Sequence, residues 1–195
     1  QEMKRFNQKL PFIFILLLLV SCRATETSVQ IVKVEDKYEM KLPTSLTYQN
    51  NLYDQASLQY ANPKEAFFVA VIDDNREELT EALFELLKDK LGVQTKKAFA
   101  ERFRLKDYFD VCYQGWVEAK MMRPSAAKIT TTTIHRLPAM VVETTEQVNG
   151  NKVFYIVGVV ETEKTYYQIF TWTLDSKKTQ NEQQMKEIIS SFREL

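Results

Sequence analysis

The chain has 195 residues, 45% of them hydrophobic and 27% charged. That is the composition of one globular domain with a core of its own, and it excludes a disordered polar segment. Basic and acidic residues balance at a formal charge of +0, so there is no electrostatic reason to expect nucleic acid, which needs a clustered basic face.

Residues 4–22 read KRFNQKLPFIFILLLLVSC. Lys4, Arg5 and Lys9 form a basic head after Met3, Leu10 to Val20 an apolar run, and Ser21-Cys22 a small-residue end. This is the layout of a secretory leader; spanning a bilayer takes about 20 apolar residues, and the run is shorter. Leu19-Val20-Ser21-Cys22 resembles the lipobox of bacterial lipoprotein leaders. The resemblance implies that residues 1–21 are a signal peptide cleaved before Cys22. It also implies a lipid on the Cys22 thiol that anchors the rest to a membrane of the cell envelope, facing the periplasm. A plain cleaved leader and an uncleaved helix are the alternatives, and a cysteine at the lipobox position favours lipidation. With Cys22 lipidated, Cys112 has no partner, so no internal disulfide is expected. Setting aside Lys4, Arg5, Lys9 and Glu2 of the leader leaves a net charge of −2.

Residues 22–34 are expected to be the lipidated start and a flexible tether, because RATETSVQ is polar and aperiodic. The globular domain is expected over residues 35–195. Tyr38 to Leu42 alternates apolar and polar residues and stops at Pro43, a short strand. Ser57 to Ala61 alternates again and ends at the turn pair Asn62-Pro63. Ala66 to Ile72 (AFFVAVI) is a continuous apolar run, which suits a strand covered on both faces. Asp73 or Asp74 then caps a helix, with Glu77 and Glu78 in its first turn, where the helix dipole favours negative charge. Leu79, Ala82, Leu83, Leu86, Leu87 and Leu91 make its apolar stripe, and Gly92 ends it. A second helix is predicted from Lys96 to Met122, with Leu105, Tyr108, Phe109, Cys112, Trp116 and Ala119 on one face.

The next portion reads as strands: Lys128 to Ile134, then Ala139 to Val148 after an interruption at Pro138. Asn149-Gly150 signals a hairpin, because both turn residues need positive φ. Val153 to Glu161 and Thr165 to Leu174 are its partners, apolar on both faces. A last helix is predicted over Lys177 to Leu195, with Met185, Ile188, Ile189 and Phe192 on one stripe. A sheet buried on both sides needs cover on both sides. The expected class is α+β, a three-layer α-β-α sandwich with a mainly antiparallel sheet and helices on both faces.

That order, with particular residues, resembles the PsbP-like group of sandwiches, which includes DcrB-type envelope lipoproteins. The residues are Tyr38-Glu39-Met40-Lys41-Leu42-Pro43, Leu137-Pro138-Ala139, Tyr166-Tyr167-Gln168-Ile169 and Ile188-Ile189-Ser190-Ser191-Phe192. Leu137 stands where the group often has glycine. The resemblance implies a non-enzymatic binding or accessory role toward a protein partner, without cofactor. A carrier or sensor of a small apolar ligand, held between helix and sheet, is the alternative.

Chemistry-bearing motifs are sparse. His135 has no clustered ligands and reads as a solvated strand-end residue, so no metal is expected. Cys112 sits on an apolar stripe and reads as an inert thiol. The four glycines form no phosphate-cradling loop. Neither a catalytic set nor a cofactor site is expected. The candidate binding surface is aromatic: Tyr113, Trp116, Tyr155, Tyr166, Phe170 and Trp172 could line a groove between sheet and helix, with core packing as the default alternative, because aromatic residues dominate cores energetically. An enclosed pocket with converging polar groups would favour the ligand, and an exposed aromatic patch the protein partner.

Overall fold

The computed structural model describes residues 28–123 and 126–195, so the expected leader and the lipidation expected at Cys22 lie outside the described residues. The fold opens with β1 (Val29–Val34) and β2 (Tyr38–Pro43), paired antiparallel from Val29↔Pro43 to Val34↔Tyr38. The strand Val29–Val34 therefore lies inside the segment expected as tether. Val32 and Val34 pack against the core and hold the strand down.

β3 (Thr47–Tyr48), β4 (Leu58–Asn62) and β5 (Phe67–Asn75) follow, and α1 (Arg76–Leu91) leaves directly from the end of β5. Its cap is Asn75, whose side chain accepts from the backbone N–H of Glu77 at 2.8 Å and of Glu78 at 3.2 Å. Asp73 and Asp74 are not caps. They lie within β5, in register with Tyr167 and Tyr166, and their side chains have other work. The α1 stripe is also turned from the expected one: Ala82 is exposed and Leu86 is 75% exposed, whereas Phe84 is buried. The cause is α2 (Lys96–Arg102), whose Phe99 meets Phe84 edge to face at 5.9 Å.

The single helix expected over Lys96 to Met122 is two, α2 and α3 (Leu105–Glu118). At the break Phe103 is buried and stacks on Phe99 at 5.1 Å. Arg104 is extended, and its N–H is bonded to Asp107 Oδ2 at 3.1 Å. Aromatic burial and a fresh N-terminal cap offset the helical hydrogen bonds given up. Beyond the break α3 buries Leu105, Tyr108, Phe109 and Trp116 of its predicted face, while Ala119 lies past the helix end and is exposed.

β6 (Lys128–Ile134) and β7 (Leu137–Val148) form a hairpin through His135 and Arg136, with φ of 47° and 73°. Pro138 lies inside β7 rather than interrupting it; the ladder from β7 to β8 (Asn151–Glu161) starts one residue later, at Ala139. Asn149 (φ 49°) and Gly150 (φ 82°) make the predicted β7–β8 turn. β9 (Thr165–Leu174) precedes α4 (Lys178–Ser190) and β10 (Arg193–Glu194). The last helix thus stops at Ser190, not Leu195. Phe192 then drops between Tyr38 and Tyr167, and β10 pairs with β2.

Seven strands form one antiparallel sheet, in the order β3-β4-β5-β9-β8-β7-β6, and β1-β2-β10 form a smaller one. The large sheet is the middle layer. One face packs on α1, α2 and α3; the other packs on α4 and the small sheet. The α+β sandwich holds, with one outer layer built of a helix and a sheet together. β8 shows the division: Tyr155, Val157 and Val159 belong to the first half-core, and Phe154, Ile156 and Val160 to the second. Gly158 is there for a close approach, since a Cβ would lie 2.6 Å from Ile189 Cγ2 of α4.

Candidate functional site

Every second residue of β5, β9 and β8 faces α3. On that face Ala70 stands opposite Phe170 and Ile72 opposite Gln168 across β5–β9, and Trp172 opposite Tyr155 across β9–β8. The small Ala70 among large neighbours leaves a gap. Trp116 and Met121, from α3 and its exit, wall one side of it; Leu52, Tyr53 and Gln55, from the loop before β4, wall the other. The result is a half-open recess of about 350 Å³. Trp116 meets Phe170 edge to face at 5.5 Å, and Trp172 stacks on Phe68 at 5.2 Å, so both tryptophans are braced. The loop is braced too, because Gln59 Oε1 accepts from the N–H groups of Leu52 at 2.8 Å and Tyr53 at 3.0 Å.

Polar groups gather at one end. Asp74 Oδ2 accepts from the Tyr108 hydroxyl and from Gln168 Nε2 at 3.1 Å, and Gln168 Nε2 also donates to Tyr108 Oη at 2.8 Å. Burial first, then the neighbouring Cys112 and Asp74, push the Tyr108 phenol far up, so it stays a donor. Burial likewise pushes the Cys112 thiol up to about 12, its hydrogen bond with Tyr108 only partly opposing this. A thiol that stays protonated at neutral pH is a poor nucleophile.

Of the six aromatics named from the sequence, Trp116, Tyr155, Phe170 and Trp172 line the recess. Tyr113 stands behind them, stacked on Phe109 at 5.7 Å and 6.3 Å from Trp116. Tyr166 is core: it is 1% exposed, stacks on Tyr108 at 4.2 Å and donates to the Phe103 carbonyl at 3.0 Å. Asp74, Gln168 and Tyr108 were read in the sequence only as a helix cap, part of a strand segment and a helix-face residue, not as site residues. The signal available was the alternation of Ala70, Ile72 and Asp74 along β5, which sets the carboxylate on the covered face.

Two other hollows are less informative. A groove of about 810 Å³ between α1, α2 and the Leu137-Pro138 segment interleaves Arg76, Lys96, Lys97 and Arg104 with Glu77, Glu81, Glu101 and Glu163. Both signs alternate, and Arg76 and Arg104 are each held at 2.9 Å by the buried Glu161, so no single charge is offered to a ligand. His135 is exposed and lines a hollow of about 370 Å³ near Glu39 and Glu187. Among the described residues no three His, Cys, Asp or Glu side chains gather as a metal set.

The chain is similar to cyanobacterial PsbP (CyanoP) from Synechocystis, with a TM-score of 0.50 and 12% identity over 91% of this chain and 99% of that one. The fold is PsbP-like. A Bacteroides thetaiotaomicron protein aligns with a TM-score of 0.45 and 9% identity, covering 81% of this chain and 45% of that one. LpqN, involved in cell envelope biogenesis of Mycobacterium tuberculosis, aligns with a TM-score of 0.39 and 11% identity, over 88% and 87% of the two chains. No protein-family model matches the sequence, and no curated protein matches it. Fold at such identity does not carry function. It does explain the PsbP-like sequence segments, three of which meet in one buried ring cluster: Tyr38 of β2, Tyr167 of β9 and Phe192 after α4. Among the described residues no helix is long and apolar enough to cross a membrane.

Proposed function

We propose that this is a non-enzymatic binding protein of the cell envelope, held at a membrane by lipid on Cys22, whose recess takes a small, largely apolar ligand. One observation carries the ligand reading: four of the six named aromatics form the walls of a recess with a polar end instead of an exposed patch. Trp116, Tyr155 and Phe170 are each under 9% exposed, too buried for a flat protein partner to cover. The volume falls at the low end of small-molecule pockets, and the mix of apolar walls and few polar groups is their usual make-up.

Trp116 and Trp172 are the chain's two tryptophans, and both line the recess, so intrinsic fluorescence reports on it directly. Titration with 2-phenylethanol should change the emission saturably, with a dissociation constant on the order of 1 mM for so small a probe. A linear, unsaturable change would rule out a site for a neutral apolar ligand in the recess. An accessory role toward a protein partner is the second reading, supported by Tyr53, 47% exposed on the recess rim.

The anchor has a test of its own. Cys22→Ala should move the protein from the membrane fraction to the soluble fraction, because the thiol that takes the lipid is gone. Undiminished recovery with membranes rules the lipid anchor out.

A further inference from the structure

We infer that the recess selects a ligand carrying a positively charged amino group, seated on Asp74; this rests on the reading of the recess as a ligand site. Asp74 is a half-buried carboxylate that lines the recess at the end of β5. Its two hydrogen-bond donors, Tyr108 and Gln168, are neutral, and both bonds fall on Oδ2. Among the described residues it has no ion-pair partner. Its neighbour Asp73, on the opposite face of the sheet, has one: Lys37 Nζ, at 2.9 Å. Two adjacent carboxylates are thus treated differently by the same fold, one neutralised by the chain and the other held open toward a cavity.

A carboxylate drawn from water toward aromatic walls is costly unless a positive group joins it. An ammonium entering the recess supplies that group, and a charge-assisted hydrogen bond to a carboxylate is about twice as strong as a neutral one. The walls favour the same ligand. Trp116, Tyr155, Phe170 and Trp172 surround the space with π-systems, whose negative faces attract a cation while their area covers an apolar body. An anion of the same shape meets Asp74 as a like charge. A neutral molecule keeps the walls and loses the ion pair. The ligand class is therefore a primary or substituted amine with a compact apolar or aromatic body, matched to about 350 Å³.

Three probes on one phenylethyl scaffold test this on the full chain in detergent, read by tryptophan emission: 2-phenylethylammonium, 2-phenylethanol and 3-phenylpropanoate. The ammonium should bind about tenfold tighter than the alcohol, the scale of one charge-assisted bond in a partly wet site, and the carboxylate probe should not bind. Asp74→Asn keeps the shape and an acceptor for Tyr108. It should abolish the tenfold preference, the ammonium and the alcohol then binding within about twofold of each other. Equal binding of ammonium and alcohol by the wild type, a comparison that needs no variant, overturns the inference but leaves the ligand site standing. So does a preference that survives Asp74→Asn. If none of the three probes binds, the recess reading itself fails, and this inference fails with it.

Discussion

Glu161→Ala is expected to lower the stability of the domain by about 3 kcal/mol. Glu161 ends β8 with its side chain 4% exposed. Oε1 meets Arg76 Nη1 and Arg104 Nε, each at 2.9 Å, and Oε2 accepts from the backbone N–H of Leu105 at 2.8 Å. One carboxylate therefore ties the large sheet to the first residue of α1 and to the start of α3. Its removal leaves the Leu105 N–H without an acceptor, worth about 1–3 kcal/mol for a buried donor. It also leaves two guanidinium groups without their counter-charge, and breaking a fully buried pair costs about 3–5 kcal/mol. The low end of that range applies here. Arg104 is 59% exposed and can turn to water, and Arg76 Nη1 keeps its bond to the Thr162 carbonyl at 2.8 Å. Glu161→Gln retains an acceptor and should cost about half as much. Urea midpoints at constant m-value measure both. A loss below about 1 kcal/mol for the alanine variant would mean that water already shares this network.

Phe192→Ala should cost about 4 kcal/mol, the range for emptying a large aromatic site in a closed core. Phe192 is fully buried, with ring centroids 5.3 Å from Tyr38 and 4.8 Å from Tyr167. Its neighbours come from β2 and β9, so neither can collapse into the hole without breaking a ladder. Phe192→Leu keeps most of the volume and should cost about 1.5 kcal/mol or less. The site lies in the half-core opposite the recess, and the large sheet stands between them. Probe binding per folded molecule should therefore match the wild type. A parallel fall in binding would show that the two half-cores move together, contrary to this expectation.

The element order was legible because its signals are local. The alternation in β8 and β9, the Asn149-Gly150 turn and the α3 stripe each depend on a few consecutive residues, and each is where the period placed it. Burial of both sheet faces followed from the same strands, and with it the sandwich class. Locations that turned on distant partners were not legible. Asp73 and Asp74 looked like caps until the β5–β9 ladder was seen to continue through them and hand the role to Asn75. The helix read as unbroken through Phe103 is broken because Phe99 lies one turn back and Glu161 waits on another strand. Leu86 fits the helical period and still faces water, because α1 buries Phe84 on α2 instead.

The site divides in the same way. Sequence alone supplied the expectation of a leader with a lipobox-like end at Cys22, and with it the layers and the aromatic residues, since composition and period need no knowledge of what lies across the sheet. Only the tertiary structure decided that Tyr166 is core while Trp116 and Trp172 line a space. It also decided that Asp74 and Gln168 share that space, and that Asp73 has a lysine while Asp74, among the described residues, has none. The reason is register. Side chains 94 residues apart, as Asp74 and Gln168 are, become neighbours through strand pairing. Which pairs form is a property of the whole sheet and not of either stretch of chain.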